Sequence, residues 1–480
     1  MMLVKKAGVA WTAAVIAVCC ATGVGGLGLE PIAAAPTEQA AARSKAIVTI
    51  NGGAVHWNGE PFVEKGATMV PLREAAVSLG GKVAWNQGSQ TVSIALNGDV
   101  VTQRSGDSLI RINGVKLQMS GPSRTIKGSL MVPLRGLMEA MRASLNLSQT
   151  PAGLSIAIAT DKSTQVNASA AAIDSYLQQN SFSGMALVAK DGKALLRKGY
   201  GLANDGKLNR PDGKTRIASI TKSFTAASIM QLVEAGKLKL NDPISTVVTG
   251  IPGGERITIH MLLSHTSGLP SEFTRQDGVT LEQTIDEIRG KTLAFEPGTD
   301  YKYSNCGYVL LAYTIEKLSG MSYGDYVEKR LLNAAGMKQS GTATVATPTN
   351  QGYVLAKDGS WTKAPYYASQ SGTGTLYSTV DDLLKWDGLL RSGKLLTEQS
   401  LQAMYTAHSA KGYGYGWIVK QAAEGKIVFH NGSGSGYSTG MSRNLDNGVT
   451  VILLSNHAGA DTAMMMDKLQ SMAAAAILQN

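Results

Sequence analysis

The stretch "TRIASITKSFTAASIMQLVEAGKL", residues 215–238, decides how this chain is read. It sets Ser219 and Lys222 three positions apart at the head of a long, mostly apolar run ending near Gly236. Residues i and i+3 share a helix face, which would put Lys222 over Ser219. A lysine inside an apolar helix loses hydration, and its pKa falls from about 10.4 toward neutrality. Such an amine could take the serine proton, while the helix N-terminus favours negative charge developing beside it. The alternative is a serine that merely caps the helix. Ser-x-x-Lys also occurs at Ser360–Lys363, "SWTK", with no helical pattern behind it. Spacing alone therefore leaves nucleophile and cap both open.

Two further strings bear on the choice. "PGTDYKYSNCGYVLLAYTIEKLSG", residues 297–320, holds the single Tyr-x-Asn of the chain, Tyr303–Asn305, just before a helical run. Tyr303 would serve as a phenol or phenolate between two cations, shuttling a proton to a leaving group. Asn305 would hold a substrate carbonyl and the lysine amine; the plainer reading makes it a helix cap. "IVFHNGSGSGYSTG", residues 427–440, ends a strand at His430 and enters a Gly-rich stretch that lets a ligand approach the backbone. There the backbone N–H of Ser433 would pair with that of Ser219 as an oxyanion hole. His457–Gly459 is a second His-x-Gly, but no strand continues beyond it.

In the order Ser-x-x-Lys, Tyr-x-Asn, His-x-Gly, these three strings resemble the class C β-lactamase and penicillin-binding-protein-like serine hydrolases. The surrounding phrases "MLLSHTSGLP" (261–270), "GTGTLYSTVDDLLKW" (372–386) and "YGYGW" (413–417) fit the same family. The resemblance spans about 170–480 and implies an acyl-enzyme on Ser219, with Lys222 and Tyr303 sharing general base and acid duty. Asn305 would orient the substrate, His430 would take the place of the lysine in Lys-Thr-Gly, and Gly432 and Ser433 would complete the oxyanion side. Lysine there stabilises a substrate carboxylate, whereas histidine is mostly neutral at pH 7. The departure points toward an ester, a D-amino-acid peptide or another amide rather than efficient β-lactam turnover. A protein acylated once without turnover, or one that binds or senses wall fragments, is the alternative reading. His265 in "SHTSG" is expected to stabilise a turn, and Cys306 to be packed and inert.

The resemblance implies a fold in which one antiparallel sheet, closed by both ends of the domain, is covered by helices, with an all-helical region beside it. "DNG" at 446–448 marks a hairpin between its last strands. Upstream, residues 43–160 contain a repeat: "MVPLR" at Met69–Arg73 returns at Met131–Arg135. Each copy reads as short strand, amphipathic helix, alternating strand, giving a small α+β domain. It resembles the copper amine oxidase N-terminal-like domain. Its single histidine, His56, cannot build a copper site. Residues 161–169 read as a polar linker.

Lys5 and Lys6, the apolar run from Ala7 to Leu29 and the small residues before Arg43 read as a signal peptide or N-terminal anchor over 1–42. The product is expected to be secreted, associated with wall or membrane, and held by its cores, since only Cys306 follows the leader. Of the net charge of +10, residues 43–166 carry thirteen Lys and Arg against seven Asp and Glu. That excess suits contact with an anionic wall polymer. No arginine-rich run or basic stripe interleaved with aromatics suggests nucleic acid. The expected partner is a small-molecule or peptide substrate, peptidoglycan-derived in one reading. No Asp/Glu/His spacing or phosphate loop calls for a metal or cofactor.

Overall fold

The computed structural model describes residues 46–161, 163–204, 206–368 and 371–478. The leader or anchor expected over 1–42 lies outside them. Among the described residues no helix is long and apolar enough to cross a membrane.

The repeat seen in the sequence closes on itself. Ala67–Pro71 and Ser129–Pro133 pair antiparallel, with Val70 opposite Val132. Each strand ends at its proline, and a seven-residue helix follows at once, Leu72–Ser78 or Leu134–Ala140. Leu72, Ala75 and Ala76 in one helix, and Leu134, Leu137 and Met138 in the other, face the core at i, i+3, i+4 spacing. After each helix comes a hairpin rather than the single strand expected: Lys82–Asn86 with Thr91–Leu96, and Ser144–Thr150 with Gly153–Ala159. The extra strand escapes a pattern reading because "KVAWN" lies on an exposed sheet rim, where alternation is not enforced.

In the second domain seven strands form one antiparallel sheet. Its order is Gln165–Val166, Lys193–Tyr200, Gly184–Lys190, Val449–Ser455, Tyr437–Asn444, Gly425–Gly434 and Ile418–Ala422. Gly184 pairs with Ser455, joining the two ends of the domain at the sheet centre. Alternation sends Met185, Leu187 and Ala189 into a core shared with the helical region, and Ala186 and Val188 into a second core under Thr462–Leu478. The helical region centres on Thr221–Glu234 and Asn305–Ser319, both buried on nearly every side. Phe224 of the former stacks on Trp386 at 4.2 Å between ring centroids.

The segment read as a linker, 161–169, carries the edge strand Gln165–Val166, which pairs with Arg197 and Leu196. Close by, the two domains share buried charges. Asp99 of the repeat domain meets Lys198 Nζ at 2.8 Å and Arg142 Nε at 2.7 Å. Lys198, fully buried, also meets Asp174 at 3.0 Å, whose other oxygen accepts from the Tyr200 hydroxyl at 2.7 Å. Arg142 spends its remaining donors on the carbonyls of Gly199 and Asn209, at 2.8 and 3.1 Å, across the same boundary. Leu208 completes the junction by packing into the repeat-domain core.

Candidate active site

The turn that carries Ser219 is held from three sides. Ile217 donates its N–H to Leu376 at 3.0 Å, and its carbonyl accepts from Thr439 Oγ1 at 2.9 Å. Ala218 sits at φ 46°, a left-handed conformation costly for a residue with a Cβ. The strand Gly425–Gly434 presses on this turn. A Cβ at Gly432 would stand 2.8 Å from both Ala218 Cβ and the Ile217 carbonyl. Gly432 is thus the close-approach residue beneath the nucleophile turn. No side chain caps the Ala218–Ile220 turn or the helix from Thr221, so Ser219 is not acting as a helix cap. Ser219 stays partly exposed in its cavity.

Lys222 is fully buried one turn on. Its Nζ lies 3.2 Å from Ser219 Oγ, 2.8 Å from Asn305 Oδ1 and 3.0 Å from the Thr373 carbonyl. Burial drives its pKa well below the ordinary lysine value; Arg275 pushes the same way and Glu272 opposes. A neutral amine has two N–H bonds and one lone pair. Asn305 Oδ1 and the Thr373 carbonyl only accept, so they take the two N–H bonds and leave the lone pair for the Ser219 hydroxyl. That is the arrangement of a general base.

Tyr303 borders the same cavity as Ser219, and the Ser219 side chain acts on its phenol. Burial pushes its phenol above the ordinary range, so it is held protonated. Of the phenol and phenolate expected from the sequence, the phenol is the form favoured here, and the two neighbours expected as cations, Lys222 and His430, are neutral nitrogen bases. Burial without a counter-charge produces both changes. The cap of the Asn305–Ser319 helix is Ser304, which accepts from Gly307 N–H at 3.0 Å, and Asn305 is thereby freed to face Lys222. His265, in a left-handed conformation at φ 62°, accepts the Ser304 N–H on Nδ1 at 3.1 Å. It fixes the Tyr303–Asn305 turn from behind.

His430 is buried, and burial brings its pKa to about 3. Its Nδ1 lies 2.6 Å from the Asn431 carbonyl, which only accepts, so Nδ1 carries the proton. Nε2 then accepts from the Tyr413 hydroxyl at 2.8 Å. Both nitrogens are occupied, so His430 itself brings no charge to the cavity. Ser433 borders that cavity, about 550 Å³ in volume, opposite Ser219, with Tyr366 and Tyr437 along its wall.

The sequence reading brought Ser219, Lys222, Tyr303, Asn305, His430 and Ser433 to one site, as the cavity lining and hydrogen bonds have it. It missed Glu272, Arg275, Thr373 and Tyr413. Tyr413 lay inside the quoted "YGYGW" and Thr373 inside "GTGTLYSTVDDLLKW"; Glu272 and Arg275 carry no spacing signal. Cys306 is buried and its thiol is pushed up to about 12, which leaves it protonated. Ser360 of the rival "SWTK" bonds Asp358 at an exposed hairpin. Among the described residues no group of His, Cys, Asp and Glu could hold a metal.

Comparison with known proteins gives two family matches: the beta-lactamase model over residues 170–475 and the copper amine oxidase N-terminal domain model over 49–152. The putative penicillin-binding protein PbpX of Bacillus subtilis is 34% identical over 256 residues, 52% of this chain and 64% of that protein. Penicillin-binding protein 4* of the same organism is 31% identical, covering 58% of this chain and 69% of that one. The chain thus spans a little under two thirds of PbpX. Among solved structures, a penicillin-binding protein from Bacillus halodurans matches with a TM-score of 0.58 and 28% identity, covering 62% of this chain and 98% of that one. The octameric penicillin-binding protein homologue from Pyrococcus abyssi matches with a TM-score of 0.56 and 31% identity, covering 65% and 76%.

Proposed function

Because this chain belongs to the beta-lactamase family of serine hydrolases, we propose that it hydrolyses an ester or amide through an acyl-enzyme on Ser219. The observation that carries this reading is the three-way environment of Lys222, whose lone pair has Ser219 as its one partner. Lys222 takes the Ser219 proton as Oγ attacks the carbonyl carbon, and the Tyr303 phenol gives a proton to the leaving oxygen or nitrogen. The N–H groups of Ser219 and Ser433 receive the oxyanion. Water then attacks the acyl carbon, and the same two groups exchange roles.

His430 supports a preference for acyl donors whose leaving part is uncharged, of the kind found in peptides and esters, peptidoglycan-derived ones included. A D-amino-acid peptide ending in a free carboxylate finds no free cation at His430. Masking that carboxylate as a methyl ester is expected to change kcat/KM less than about threefold. In a site built on a charge-assisted hydrogen bond the same change costs about 1.5–3 kcal/mol, roughly 10- to 150-fold. The leader-like 1–42 segment and the basic repeat domain favour action outside the cytoplasm against the wall. Cell fractionation and pull-down on purified walls test this.

The acyl-enzyme is tested by mixing the protein with a fluorophosphonate or a slowly deacylating p-nitrophenyl ester and mapping the adduct by mass spectrometry. The expected adduct lies on the peptide bearing Ser219. An unmodified Ser219 under conditions of steady turnover removes the proposal.

A further inference from the structure

Resting on that reading, we propose that Glu272, braced by Arg275, is a positioning residue that fixes the Asn305 amide and so aims the Lys222 amine at Ser219. Asn305 Nδ2 donates to Glu272 Oε1 at 2.7 Å. A carboxylate only accepts, so the amide cannot turn its oxygen that way without two acceptors meeting. Asn305 Oδ1 is therefore held toward Lys222 at 2.8 Å. Were the amide to flip, its N–H would face Lys222, and the amine would turn its lone pair to Asn305. An N–H would then point at Ser219, and the base would be silent.

The anchoring of Glu272 is specific. Its second oxygen meets Arg275 Nη1 at 2.6 Å, and Arg275 lies over the Phe273 ring at 4.8 Å. The Ser271 carbonyl accepts the Asn305 N–H at 2.8 Å, stapling the loop to the start of the helix. Both Glu272 and Arg275 line the cavity of Ser219.

The pair also sets the charge around the amine. The groups near Lys222 are Tyr303 and Tyr308, whose rings lie 4.8 and 5.5 Å from Nζ, then His265, His430, Glu272 and Arg275. Burial keeps both phenols protonated and both imidazoles neutral. Glu272 and Arg275 are thus the charges that act on Lys222, with opposite signs.

The test compares Glu272→Ala, Glu272→Gln and Arg275→Gln in the full chain, reading kcat and KM for p-nitrophenyl acetate from pH 4 to 9. Glu272→Ala is expected to lower kcat about ten- to hundredfold with KM little changed, as a freed amide misplaces the base. Glu272→Gln, whose carbonyl can still accept from Asn305, is expected to recover most of that loss. Loss of the negative charge disfavours the ammonium form, so its acid limb shifts to lower pH; Arg275→Gln shifts it to higher pH. Because both side chains are exposed, thermal melting is expected to show the fold intact in each variant. The proposal is overturned if Glu272→Ala keeps wild-type kcat with an unmoved limb, if its loss falls on KM alone, or if Glu272→Gln falls as far. Failure of the wild type to label at Ser219 would instead remove the acyl-enzyme reading itself.

Discussion

Lys222→Met is expected to lower kcat/KM for p-nitrophenyl acetate by about 10³ or more, with the Ser219→Ala/Lys222→Met double variant no slower than either single. Residues that act as one device lose their whole effect with the first deletion, which is why the double variant carries the information. Methionine fills similar volume in the apolar helix, so packing against Tyr303 and Tyr308 is kept while the lone pair goes. The wild-type rate is expected to fall as pH drops below the depressed lysine value, because protonation consumes the lone pair aimed at Ser219. In Lys222→Met that acid limb disappears. Stopped-flow release of p-nitrophenol measures both effects. Additive losses in the double variant would mean that serine and lysine serve separate steps, and a Lys222→Met rate near wild type would assign the base elsewhere.

Asp99→Ala is expected to destabilise the two-domain body by about 3–5 kcal/mol, because it strips Lys198 and Arg142 of a shared counter-charge at a largely buried place. Lys198 keeps Asp174, and Arg142 keeps two carbonyls, so the loss is one of charge balance rather than of every contact. Burial alone would raise the Asp99 pKa; Arg142 and Lys198 outweigh it and hold the carboxyl below its usual value of 3.8. A carboxylate with a depressed folded pKa contributes stability that is complete above the unfolded value and fades as pH falls through the folded one. The gap between wild type and Asp99→Ala in urea unfolding should therefore be full at pH 6 and shrink below about pH 4. An equal gap at pH 6 and pH 3 would show that lost packing, not charge, is responsible.

The parts of this molecule that announce themselves in sequence are those fixed by local spacing. Ser219 and Lys222 share a helix face, "MVPLR" repeats, and "DNG" turns a hairpin around Gly448, whose φ of 72° suits glycine. Each string has a plain local alternative, and their common order along the chain tipped the balance. What stayed hidden depends on groups distant in sequence. Glu272 looks like any exposed loop acid until its oxygen is found 2.7 Å from Asn305. Thr373 contributes only a backbone carbonyl, which no side-chain pattern encodes. Asp99 reads as part of an ordinary "LNGD" turn, and Lys198 as a solvated residue in an alternating strand. Their burial comes from docking two domains, a step beyond the reach of periodicity. The neutrality of Lys222 and His430 beside Tyr303 stayed hidden for the same reason: their proton affinity follows from how much water the finished fold removes.

The central sheet also bears on how the chain matures. Gly184–Lys190, with Met185, Leu187 and Val188, leaves the ribosome long before its neighbour Val449–Ser455 exists. Until then Lys193–Tyr200 can cover one edge of this apolar strand, and the other edge is available to wrong partners, the state in which nascent chains clump. The central sheet can close only after synthesis has passed Ser455, so a chain arrested before that point is expected to aggregate unless a chaperone holds it.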